Sequence, residues 1–183
     1  MNAASSALVP RMLVAGVGNI FRSDDGFATA VVSWLDEHAR ATWPEWVRLR
    51  DFGIGGVHLA YELLNGYDDL VLVDAMHREG GGPGMLYVVQ PNLDTLRGDQ
   101  APALDAHDLA PEAVLSLVPG LGGTLGRVTV IGCEPASTAD GMDLSDVVSG
   151  RVPEAGRLVC ELVTEVTRGQ GCSPDPKGSI VRR

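Results

Sequence analysis

The chain has 183 residues, 45% hydrophobic and 21% charged, with a mean hydropathy of +0.09; this is the make-up of one globular domain and excludes wholesale disorder. Against 24 acidic residues stand only 14 basic ones, a formal charge of −10, and the single lysine, Lys177, lies in the C-terminal tail. A chain so poor in basic patches is not built to hold nucleic-acid phosphate.

The first 11 residues have neither the basic start nor the long apolar run of a signal peptide, and no stretch has the length of a membrane span. Met12 to Gly16 is a nearly continuous apolar run, the pattern of a strand buried on both faces. A loop from Val17 to Gly26 follows, and Phe27, Ala30, Val31, Trp34 and Leu35 then recur at helical spacing. Ser23, Asp24 or Asp25 is expected to cap that helix. Val47 to Phe52 alternates as a strand does, glycines at 53, 55 and 56 open a helix around His58 to Leu64, and Asn65-Gly66 stops it.

Leu70 to Asp74 is the clearest buried strand. Met85 to Val89 reads as an antiparallel edge strand, and residues 90–107 read as irregular. Asp108 to Glu112 forms a cap and first turn for a helix running to about Leu117, with Pro119 to Gly126 a turn-rich link. Val128 to Gly132 is another strand, Leu144 to Val148 a short helical turn, and Ala155 to Val166 a final amphipathic helix. The expected fold is therefore α/β: a single three-layer domain over residues 12–168, with a mainly parallel twisted sheet sandwiched by helices. Residues 1–11 and 169–183 are expected to be flexible termini.

In such folds ligands sit outside the carboxyl ends of the strands. Gly16-Val17-Gly18 starts like a dinucleotide loop, but Phe21 stands where the third glycine belongs, and Asp24 and Asp25 would repel a pyrophosphate. The two aspartates are either caps or one cap and one cleft residue. Asp74, at the end of the most apolar strand, either begins a turn or serves a site; His77, three residues on, reads as a loop residue. His107, before a helix start, is either a ligand and base or a neighbour of the cap at Asp108. Asp25, Asp74 and His107 all fall at strand–helix transitions. Together they would make a mixed oxygen and nitrogen site for a divalent cation, or an acid/base set.

The HExxH and GxSxG motifs are absent. The three cysteines, at 133, 160 and 172, are odd in number and lack CxxC spacing, which argues against a disulfide scaffold or a zinc knuckle and for a reducing compartment. Cys133, beside a strand end, leaves a thiol mechanism as a weak possibility.

Over residues 12–168 the chain resembles the hydrogenase maturation proteases. The resemblance rests on Gly16-Val17-Gly18-Asn19 followed by Asp24-Asp25-Gly26, on Leu72-Val73-Asp74-Ala75, and on the isolated His107. It closes with Gly132-Cys133-Glu134-Pro135 and Gly141-Met142-Asp143-Leu144-Ser145. It implies an aspartate-using endopeptidase that removes a C-terminal extension from the [NiFe] hydrogenase large-subunit precursor once nickel is inserted. It further implies that Asp25, Asp74 and His107 contact a nickel ion carried by the substrate, with no organic cofactor.

The expected partner is that precursor, with no nucleic acid and no membrane, and the protein is expected to be a cytoplasmic monomer. Phe52, His77 and the glycines at 80–82 depart from the family pattern and bear on the choice of precursor. Two other readings use the same residues: a metal-dependent docking module that does not cut, and a small-molecule α/β hydrolase.

Overall fold

The computed structural model describes residues 11–96 and 111–169. Among the described residues five strands form one sheet in the order β2-β1-β3-β5-β4. They are β1 (Met12–Gly16), β2 (Val47–Asp51), β3 (Asp69–Ala75), β4 (Leu86–Val89) and β5 (Arg127–Cys133). β1 pairs in parallel with β2 and β3, and β3 with β5; β4 runs antiparallel along β5, the edge placement its sequence suggested. The helices are α1 (Phe27–His38), α2 (Gly56–Leu63), α3 (Pro111–Gly120), α4 (Asp146–Ser149) and α5 (Val152–Gly169).

The alternation of side chains along the strands divides the core into two halves. Met12 and Val14 of β1, Val71 and Val73 of β3 and Ile131 of β5 point to one face, where Phe27, Val31 and Leu35 of α1 and Ala155, Val159 and Val163 of α5 cover them. Leu13 and Ala15, Leu70 and Leu72, and Val128 and Val130 point to the other, beneath Leu59 and Leu63 of α2 and Val114, Leu115 and Val118 of α3. This is the three-layer arrangement expected from strands that are apolar on both faces. On the first face the two helices meet closely: a Cβ added at Gly156 of α5 would collide with the Trp34 ring of α1.

Three local expectations are corrected. α1 is not capped by Ser23, Asp24 or Asp25. Those residues form a 3-10 turn with Gly26, and Gly26 caps the helix without a side-chain bond. α3 runs through Pro119 to Gly120 rather than ending near Leu117; a proline so close to the end fits the helical φ and forfeits little of the hydrogen-bond ladder. Leu93–Leu96 forms a 3-10 turn within the stretch read as irregular. Among the described residues no helix is long and apolar enough to cross a membrane.

Candidate active site

The central strands β1 and β3 end at nearly the same height: Gly16 pairs with Val73, and the Val17 N–H continues the ladder to the Val73 carbonyl at 3.1 Å. Asp74 is the next residue along β3, level with Gly132 of β5, and its side chain is only 7% exposed. The chain leaving β1 turns over this edge and reaches Asp25 in the Ser23–Gly26 turn, which packs against β3. Topology thus carries Asp25 and Asp74 to the carboxyl edge of adjacent strands. α3 precedes β5 in the chain. His107, upstream of that helix, lies outside the described residues. Among the described residues no three His, Cys, Asp or Glu side chains gather closely enough to hold a metal ion.

The two adjacent aspartates have separate roles. Asp24 is fully buried, and its carboxylate accepts hydrogen bonds from the backbone N–H groups of Ala136 (2.8 Å), Ser137 (3.0 Å) and Ser145 (2.6 Å) and from the Ser145 hydroxyl (2.9 Å). Burial alone would raise its proton affinity, but the donors on Ser145, Ser137 and Ala136 outweigh that and hold the carboxyl below the usual aspartate range. Asp24 is therefore the fastening between the loop after β1 and the loop after β5. Asp25 is only partly buried, and its Oδ2 accepts the Asn19 N–H at 3.0 Å, which fixes the carboxylate over its own loop. Asn19 is locked in turn, its side-chain oxygen accepting the Phe21 N–H at 3.0 Å.

Other ties make the three loops of this edge one unit. The Gly18 N–H donates to the Gly53 carbonyl at 3.0 Å, joining the loops after β1 and β2. The Ser23 N–H donates to the Gly141 carbonyl (2.8 Å), and the Gly141 N–H to that of Phe21 (3.0 Å). Ser23 sits at φ 45°, a left-handed conformation that a non-glycine residue adopts at a cost and that this clamp sustains. Arg22 donates its Nε to the Thr138 carbonyl at 3.1 Å and so belongs to the same clamp.

Cys133 is fully buried, and burial together with the Asp24 charge pushes its thiol up to about 11. At neutral pH it is a packed thiol and no nucleophile. His38 stacks on Trp34 and bonds its carbonyl at 2.8 Å on the surface of α1.

Sequence reasoning did not anticipate one further group on this edge. Glu134, directly after β5, is buried and bonded to His77 and Tyr87. The available signal was an acidic residue closing an otherwise apolar strand; nothing local announced its partners, which lie 57 and 47 positions away.

A family model describing hydrogenase maturation proteases matches residues 30–162. A hydrogenase expression/formation protein of Rhizobium leguminosarum bv. viciae is 31% identical over 175 residues, covering 94% of this chain and 82% of that protein. The hydrogenase 2 maturation protease of Escherichia coli is 27% identical, covering 93% and 98%. Among solved structures, a hydrogenase-maturating endopeptidase of E. coli superposes with a TM-score of 0.68 at 25% identity, over 85% of this chain and 93% of that one. A hydrogenase 2 maturation peptidase from a Thaumarchaeota archaeon gives 0.63 at 33% identity, over 84% and 97%. With its fold and most of its length shared with these proteins, the chain belongs to the hydrogenase maturation protease family.

Proposed function

We propose that this peptidase removes the C-terminal extension of a [NiFe] hydrogenase large-subunit precursor after nickel has been inserted, and that Asp25, Asp74 and His107 complete the coordination of the nickel the precursor carries. The observation that carries the reading is the pair of carboxylates on neighbouring strand ends: Asp25, aimed by the Asn19 N–H, and Asp74, at the mouth of β3. Carboxylate and imidazole are a donor set that nickel accepts. A site to which the enzyme contributes only part of the coordination shell turns the substrate's own metal into the mark of readiness. The cation beside the scissile bond polarises its carbonyl or the attacking water.

A protein substrate also accounts for the apolar rim of this edge. Phe21, Ile54 and Met142 are 61%, 78% and 69% exposed on the loops that follow β1, β2 and β5. Exposed large apolar side chains ringing a polar centre suit contact with another protein. Cys133 and Cys160 are free thiols, which supports action in the reducing cytoplasm.

The test is to incubate the protein with nickel-loaded and nickel-free precursor and follow shortening of the large subunit. Cleavage of the loaded form alone is expected; equal cleavage of both overturns metal recognition. His107→Ala is expected to abolish processing while circular dichroism stays that of the wild type, and full activity in that variant overturns the ligand assignment.

A further inference from the structure

The polar group at Glu134 has no part in the reading above, yet it is built with care. Glu134 is 6% exposed, and its carboxylate accepts hydrogen bonds from His77 Nδ1 (3.0 Å), the Arg78 backbone N–H (2.9 Å) and the Tyr87 hydroxyl (2.9 Å). A buried carboxylate is costly unless its lone pairs are met in this way. Burial would raise its proton affinity, but the Arg78, His77 and Tyr87 donors hold Glu134 below the usual glutamate range. The loop of three glycines covers it: a Cβ added at Gly81 would strike both the Glu134 carboxylate and the Tyr87 hydroxyl. Gly81 thus makes room for this cluster.

An ionised Glu134 only accepts, so the Nδ1 that faces it carries hydrogen, and the lone pair of His77 resides on Nε2. The His77 side chain is 71% exposed, which opens Nε2 to an incoming substrate. An imidazole held by a buried carboxylate, its other nitrogen open, is the arrangement of an oriented base. The groups around it are Glu134 directly after β5, Tyr87 from β4, and Arg78 and Glu79 of its own loop; the Arg78 guanidinium lies over the Tyr87 ring at 5.4 Å. His77 follows Asp74 by three positions, and the Met76 N–H, bonded to the Cys133 carbonyl at 2.9 Å, keeps this segment alongside the end of β5. The imidazole therefore stands on the same sheet edge as Asp74.

Peptide hydrolysis forms a C–O bond from water to the carbonyl carbon and breaks the C–N bond, so one proton must leave the water and one must reach the departing amine. Carboxylates engaged with a cation are poor carriers of that proton, and Asp24 and Cys133 are locked in the interior. We infer that His77, oriented by Glu134, is the proton-transfer residue of the cleavage: Nε2 takes the proton from the attacking water and delivers it to the amine nitrogen. This rests on the proteolytic reading of Asp25 and Asp74.

The experiment uses full-length protein and nickel-loaded precursor. His77→Ala is expected to lose roughly 10²-fold or more in kcat, with KM unchanged, the circular dichroism of the wild type and activity partly restored by added imidazole. Glu134→Gln is expected to lower kcat without any response to imidazole. Wild-type kcat in His77→Ala, a loss confined to KM, or a loss that imidazole does not relieve would each overturn the assignment. If the wild type itself leaves the loaded precursor intact, the proteolytic reading falls and takes the inference with it. If the wild type cleaves and His77→Ala matches it, only the inference falls.

Discussion

Asp24 and Asp25 occupy one turn and have the same side chain, yet their partners assign them to different work. Asp24 gives its whole acceptor capacity to Ala136, Ser137 and Ser145, so it acts on stability. Replacing it by Asn puts an amide against donors it cannot satisfy, and Asp24→Asn is expected to lower unfolding stability by about 3 kcal/mol in urea titration. Because the folded Asp24 carboxyl lies below its ordinary value of 3.8, its contribution is complete above that pH and disappears as the pH falls toward the folded value. Urea midpoints followed downward from pH 5 should therefore decline for the wild type, with that part of the decline missing in Asp24→Asn. Asp25 accepts the Asn19 N–H, a bond that an asparagine oxygen also accepts. Asp25→Asn is accordingly expected to keep the wild-type midpoint while precursor processing falls by roughly 10²-fold or more.

At the scale of elements, the edge geometry depends on how closely α1 and α5 approach. Gly156 brings the backbone of α5 onto the Trp34 ring, and the Ser23–Gly26 turn runs straight into α1. Gly156→Val should force the helices apart and cost roughly 1–3 kcal/mol, read as a lowered thermal midpoint. The expectation fails if the midpoint is unchanged. The strands and their layers were legible in the sequence because burial on two faces writes a continuous apolar run, as in Leu70 to Val73. The start of α1 was less legible. Aspartates before a helix usually cap it, and here Asp24 is drawn away by partners 112 to 121 positions distant.

For the whole molecule, the crossover connections place the loops after β1, β2 and β5 on one rim, with their exposed apolar side chains around the acidic centre. The triple replacement of Phe21, Ile54 and Met142 by serine removes contact area and no core, since all three are exposed. It is expected to raise KM for the precursor several-fold with kcat and thermal midpoint nearly unchanged. A change in kcat alone would place these residues in the chemistry instead.

The amino-acid sequence by itself determined the α/β class, the parallel sheet with an antiparallel edge strand, and the family, because apolar periodicity and short motifs are local properties of a chain. It also singled out Asp25 and Asp74, whose positions at strand ends follow from that same periodicity. What each acidic group does was left to the tertiary structure. A carboxylate becomes a fastening between loops or the partner of an imidazole according to the donors around it. For Asp24 and Glu134 those donors arrive from segments that only folding brings within hydrogen-bond reach.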